Sequence, residues 1–384
     1  MRKGIGSLLV TLLLMTVGFF SVNVEAATAV KKEINSSFSD FLAEEKSENW
    51  YKLTTGENTY MVFSFSAEEI VNHGWNISIY NDEYELIRSY KGIKDNFISD
   101  RFMFDDYSTF YLKVEGQYKD NWCPCGVEYT MSTSETIDKL FEKESNNVMK
   151  KANTLTSGKE KYGTLWTEKD IDYYKFKTTK TGYTQIEFHS ESGEVINHGW
   201  NLSIFDSTGK LIKKTEGIKE NFKSLKLDFK KGTIFYVLVE GQYKDNWSPV
   251  DKLYSIMAKE VKTTSYEEES NNTVKKATLL QKKKYGTTYV KDDIDYYKYL
   301  AKATKKVTVK FTLEDDEIVN HGWSVNIYDG TVSEKYLVAH DNAVVNDVSF
   351  KFKAKKGHNY YIVVEPRYKD NWAPIDITYM VSAS

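Results

Sequence analysis

Two short acidic segments carry the residue types in this chain best suited to chemistry. Glu142, Glu144, Asn146 and Asn147 lie close together, and Glu267, Glu269, Asn271 and Asn272 repeat their spacing. Each segment is followed by an Asp-Ile-Asp-Tyr-Tyr run, starting at Asp170 and at Asp293. Calcium takes about six to eight oxygen ligands from carboxylates, amides and backbone carbonyls. Alternate residues of an extended segment point to one side. Glu142, Glu144 and Asn146 would therefore face one ion together, with Asp170 and Asp172 supplying further oxygens. The bland alternative is a solvated linker with a turn-forming Asn.

A second pattern occurs three times. Asn72-His73-Gly74-Trp75 returns as Asn197-His198-Gly199-Trp200 and as Asn320-His321-Gly322-Trp323. Each is followed by a Tyr-Lys-Asp-Asn-Trp phrase: Tyr118, Asp120 and Trp122, then Tyr243, Asp245 and Trp247, then Tyr368, Asp370 and Trp372. As a contact site, each set would form an aromatic patch edged with polar groups, able to stack on sugar rings or peptide side chains. The same residues also suit a structural role. The Trp that follows Gly could pack in a core, Asn and Gly suit turns, and Asp could accept backbone N–H bonds within its own loop. Catalysis is disfavoured. No Ser, Cys or Thr recurs beside the His and Asp in a recognisable elbow. One His per repeat is too few for a zinc site. A non-enzymatic protein is expected.

These residues must be positioned by repeated domains. The interval between successive closing Trp residues is constant and far longer than the roughly 20–50 residues of a solenoid repeat. The chain is expected to hold a signal peptide (1–26) and three modules of roughly 120 residues, at 27–134, 135–259 and 260–384. Module 1 lacks the acidic entry segment and reads as truncated at its N-terminal end. In module 2 the expected strands are Asp172–Thr178, Thr184–Phe188, Trp200–Phe205, Leu211–Thr215, Lys223–Phe229, Ile234–Glu240 and Leu253–Ala258. Each is short, alternating and rich in Tyr, Phe, Ile and Val. Turn-forming runs such as Ser207-Thr208-Gly209 separate them. The fold class is all-β: three tandem antiparallel, jelly-roll-like β-sandwiches. If successive strands reverse direction, the Asn-His-Gly-Trp loop, the Gly217–Phe222 loop and the Tyr-Lys-Asp-Asn-Trp loop gather at one end of each sandwich.

Composition narrows the function. A formal charge of −3 with interspersed signs leaves no basic stripe for nucleic acid. Aromatics at 15% of the chain exclude disorder and supply the Tyr and Trp that dominate contact surfaces. Arg2 and Lys3, the apolar Leu8–Phe20 stretch and Val24-Glu25-Ala26 read as an export signal, too short for a convincing membrane span. The mature chain is expected to be secreted, extracellular and without a membrane span. Cys123 and Cys125 occur in module 1 alone. A local disulfide, two free thiols and a link to another chain are all open.

The order Glu-x-Asn-Asn, then Ala, Gly, Asp-x-Asp-Tyr-Tyr and the Asp206–Gly209 turn resembles bacterial pre-peptidase C-terminal domains. The resemblance continues through Gly232, Phe235–Glu240 and Tyr254-Ser-Ile, and covers most of residues 140–384. That group includes the collagen-binding domains of clostridial collagenases. The resemblance implies a secreted, jelly-roll-like sandwich without catalysis of its own. It also implies calcium held by Glu142, Glu144, Asn146, Asn147 and Asp172, and by Glu267, Glu269, Asn271, Asn272, Asp292 and Asp295. Lys169 stands where module 3 has Asp292, which would cost module 2 a ligand, and module 1 should lack the site. The expected function is multivalent binding of an extracellular protein or glycan polymer. The runner-up is a self-associating structural protein of a coat or matrix, and a secreted hydrolase ranks last.

Overall fold

A computed structural model describes residues 29–68, 71–191, 198–224, 226–245, 247–314, 321–369, 373–375 and 377–384. The expected export signal lies outside them. Module 1 contains β1 (Val30–Lys31), β2 (Ser37–Phe41), β3 (Glu48–Thr54), β4 (Thr59–Ala67), β5 (Trp75–Tyr80), β6 (Leu86–Ile93), β7 (Phe97–Ile98), β8 (Thr109–Gly116) and β9 (Glu128–Ile137). These form a five-stranded sheet, β1-β3-β8-β5-β6, and a four-stranded sheet, β2-β9-β4-β7. Modules 2 and 3 repeat both sheets in the same strand order. Only the edge pairing of β1 with β3, and its counterparts, is parallel within these sheets. The result is three tandem β-sandwiches. Module 1 is not short of strands; it lacks only the acidic entry segment. Among the described residues no helix is long and apolar enough to cross a membrane.

Alternation builds the cores. Along β4, every second residue from Thr59 to Phe65 is buried, as expected for strands whose other face meets water. Each core centres on the Trp of a His-Gly-Trp phrase. Trp200 packs against Phe188 and Tyr254 at 5.3 and 6.1 Å between ring centroids, and Trp75 and Trp323 have equivalent neighbours. The preceding Gly is required by a close approach. A Cβ on Gly199 would lie 1.8 Å from the Ile218 carbonyl oxygen, and one on Gly74 would lie 1.9 Å from that of Ile93.

The modules are joined by lent aromatics. Trp166 of module 2 belongs to the module 1 core, against Phe102 and Phe104, and Tyr289 of module 3 belongs to the module 2 core. At the first joint Arg88 also donates to the Trp166 carbonyl (2.6 Å) and pairs with Asp251. At the second, Tyr289 donates to the Lys226 carbonyl (3.3 Å), and Lys226 pairs with Glu314 at 2.8 Å. Each acidic entry segment runs along the module before it. Glu144 N–H donates to the Met103 carbonyl (2.8 Å), and Glu269 N–H to the Asp228 carbonyl (3.1 Å).

Candidate metal centres and aromatic clusters

In module 2, Glu142, Glu144 and Asp172 converge, with ligand oxygens within 4.8 Å of one another, and all three are buried. Asn146 is fully buried with them. The extended entry segment delivers the first three residues and the first strand after it delivers Asp172. The protein fixes both oxygens of Glu142 and one side of Glu144, Asn146 and Asp172. Glu142 Oε2 accepts from Tyr174 (2.5 Å) and from the Asn146 amide (3.1 Å), and its Oε1 accepts from Thr164 N–H (2.7 Å). Glu144 Oε2 accepts from Asn146 N–H (3.0 Å), and Asp172 Oδ2 accepts from Tyr254 (2.5 Å). The remaining oxygens of those three, Glu144 Oε1, Asn146 Oδ1 and Asp172 Oδ1, are all orphaned.

Module 3 reproduces the arrangement atom for atom. Glu267, Glu269 and Asp295 converge. Tyr297, Asn271 and Thr287 N–H bond Glu267, and Tyr379 bonds Asp295. Glu269 Oε1, Asn271 Oδ1 and Asp295 Oδ1 are the orphans. Buried polar atoms are rarely left unpaired, and the same three orphans recur in two modules in groups that could hold a cation. Every donor is oxygen, which suits a hard divalent ion.

The electrostatics agree. Burial, only partly offset by hydrogen bonds, pushes Glu142 up to about 7 and Glu267 up to about 8. Burial and neighbouring carboxylates push Glu144, Asp172, Glu269 and Asp295 well above the usual carboxylate range. A divalent ion would reverse those shifts by supplying the missing positive charge.

Several expected ligands take other roles. Asp292 is exposed, and its neighbour Asp293 is the buried residue. Asp293 accepts from Tyr289 N–H (2.9 Å), as Asp170 accepts from Trp166 N–H (2.6 Å). These two Asp residues fix the lent aromatics, so Lys169 removes no ligand. Asn147 and Asn272 are exposed and donate their amides to Asp170 (3.1 Å) and Asp293 (2.6 Å). Module 1 holds Asn49 at the position of Asp172. Its amide donates to Tyr129 (2.8 Å), Tyr129 pairs with Tyr51 at 2.6 Å, and Tyr51 donates to the Asp40 carboxylate (2.9 Å), so the same tyrosine pair holds one carboxylate and one amide in place of two buried carboxylates.

The three repeated loops do gather at one end. Gln242 N–H donates to the Gly199 carbonyl (2.9 Å), and Gly217 lies against the Gln242 side chain. The His73 ring stands edge-on to Tyr118 and to Trp122, at 4.8 Å from each. His198 meets Tyr243 at 4.7 Å and Trp247 at 5.2 Å in the same manner, and His321 meets Tyr368 at 5.3 Å. Trp122 and Trp247 are each 52% exposed. Asp120 and Asp245 hold the loops by accepting from the N–H of Trp122 (3.0 Å) and Trp247 (2.9 Å). Asn72 is exposed beside the first cluster. Asn197, Asn320, Asp370 and Trp372 lie outside the described residues. Trp75, Trp200 and Trp323 are corrected from contact to core residues, because none exposes any surface. Cys123 and Cys125 are bonded to each other, which rules out their linking to another chain in this state.

Asp228 was missed by the sequence reading. It is buried at the second joint, and both its carboxylate oxygens are orphaned. The one available signal was an acidic residue inside the apolar run Leu227–Phe229 of an expected strand.

No protein-family model matches the chain, and no curated protein sequence does. Among solved structures, the pre-peptidase C-terminal domain of a collagenase from Bacillus anthracis is 21% identical. It covers 28% of this chain and 92% of that chain, with a TM-score of 0.22. A triple jelly-roll turret structure from an archaeal virus is 8% identical, covering 91% of this chain and 89% of that one (TM-score 0.23). A structure of the CBM32-1, CBM32-2 and M60 catalytic domains of Clostridium perfringens ZmpB is 11% identical, covering 91% and 54% (TM-score 0.19).

Proposed function

We propose that this chain is a secreted, non-enzymatic binding protein whose modules present the same aromatic cluster to a repetitive extracellular polymer, either protein or glycan. The observation that carries this reading is the repeated edge-on packing of His73 on Tyr118 and Trp122, and of His198 on Tyr243 and Trp247, with both Trp side chains half exposed to solvent. Exposed aromatics held by a packed histidine and a bonded loop lose little entropy on contact. Lys119 pairs with Glu115 (2.8 Å) and Lys244 with Glu240 (3.1 Å), which further fixes each loop. Several weak sites on one chain raise each other's effective concentration on a repetitive partner.

Calcium is the cation that best suits the two oxygen-lined centres. Glu144, Asn146 and Asp172, with Glu269, Asn271 and Asp295, would hold it through their orphaned oxygens. Bound there, it would neutralise the buried carboxylates and fix each entry segment to the first strand of its module. The contact site is tested by retention on insoluble polymers such as collagen and cell-wall glycan. Trp122→Ala with Trp247→Ala should release the chain, whereas unchanged retention would sink the assignment.

A further inference from the structure

The two cation centres differ in one residue contributed from outside their own module. At the first joint, the carbonyl that accepts Glu144 N–H belongs to Met103. At the second, the carbonyl that accepts Glu269 N–H belongs to Asp228. The neighbouring pairings match as well: Phe104 bridges to Glu144, and Phe229 bridges to Glu269. Met103 and Asp228 are thus equivalent positions, and both are buried.

Asp228 is 1% exposed, and neither of its carboxylate oxygens has a hydrogen-bond partner. Its backbone N–H donates to Tyr289 (2.7 Å), so its main chain is pinned at the joint. Its own carbonyl accepts Glu269 N–H (3.1 Å) and the next residue, Phe229, bridges to Glu269, which sets it beside the module 3 centre. Burial and the charges of Glu267, Glu269 and Asp293 push its carboxyl well above the usual range. A carboxylate in such a place needs a counter-charge, and among the described residues no lysine or arginine bonds or pairs with it.

We propose that Asp228 of module 2 is a ligand of the cation bound by module 3, so that this ion clamps the second joint. This rests on the cation reading given above. At the first joint the equivalent position is Met103, which offers no carboxylate. Glu144 and Asp170 there border a cleft of about 390 Å³ that is also lined by Asp82, Glu85 and Asp105 of module 1. One chain therefore carries two grades of site. The module 3 site has one more carboxylate, binds more tightly and links two separately folded modules of one chain. The module 2 site is weaker and belongs to its own module.

The test is calorimetric calcium titration of the full chain. The wild type should show two sites of unequal affinity. Asp228→Asn should weaken the tighter one about tenfold or more and leave the other unchanged. Terbium luminescence lifetimes give a second readout in a chain whose module 2 site is silenced by Asp172→Asn. There, Asp228→Asn should increase the number of water molecules bound to the ion. If Asp228→Asn leaves both affinities and the water count as in its parent while Asp295→Asn abolishes one site, the clamp is overturned and the cation centre stands. If the wild type binds no calcium or terbium, both readings fall together.

Discussion

Tyr254 donates its hydroxyl to Oδ2 of Asp172 at 2.5 Å, leaving Oδ1 of the same buried carboxylate free. One oxygen orients the group and the other remains available for a ligand. Bonds that orient a ligating group commonly govern metal affinity about 10–100-fold. Tyr254→Phe should therefore weaken the module 2 site by about tenfold in calcium titration, while the module 3 site keeps its affinity.

Calcium should stabilise the fold by binding the native state alone. At a free concentration of about 100 times Kd the gain is about 2.7 kcal/mol. Thermal melting should show a midpoint that rises with calcium and falls on chelation.

The cation-free chain should lose stability as pH rises from about 4.5 to about 8. Glu142 and Glu267 hold protons up to about 7 and about 8 when folded, against an ordinary value of 4.5. Their folded values are raised, so in this window the folded chain binds more protons than the unfolded one. Stability then falls with pH. Calcium should remove that fall, and its binding should release protons. Melts of metal-free and calcium-loaded protein across this range, with titrations in buffers of different ionisation heat, check both signs.

Gly163 is required by the network itself. A Cβ there would lie 2.6 Å from the hydroxyls of Tyr174 and Tyr254 and 2.7 Å from Glu142 Oε1. Gly163→Ala should cost about 1–3 kcal/mol and lower calcium affinity at module 2, read by denaturant unfolding and titration.

The two kinds of Trp should separate cleanly. Trp200→Ala removes a fully buried side chain from the module 2 core and should cost about 3–5 kcal/mol. Trp247→Ala lies at the surface and should change stability by no more than about 0.5 kcal/mol, while reducing polymer retention.

Much of this was legible in the sequence, because alternation and repetition are local signals. Six of the seven strands expected in module 2 appear, within a few residues at their ends. The seventh, Lys223–Phe229, shortens to Phe222–Lys223 followed by single bridges from Leu227 to Thr184 and from Phe229 to Glu269. That chain leaves its own sheet to meet the next module, a destination no local pattern records. Glu142, Glu144, Asn146 and Asp172 were readable because one extended segment and one strand present them. Asp292 was preferred over Asp293 because adjacent acidic residues look alike until burial separates them. Asp228 depends on contact between modules, and only its equivalence to Met103 reveals what it adds.

Native mass spectrometry of the full chain in calcium tests the two built cation centres most directly. The wild type should carry two ions, Asp172→Asn one, and Asp172→Asn combined with Asp295→Asn none. A wild-type chain without bound ions, or a double variant that keeps both, would contradict the account.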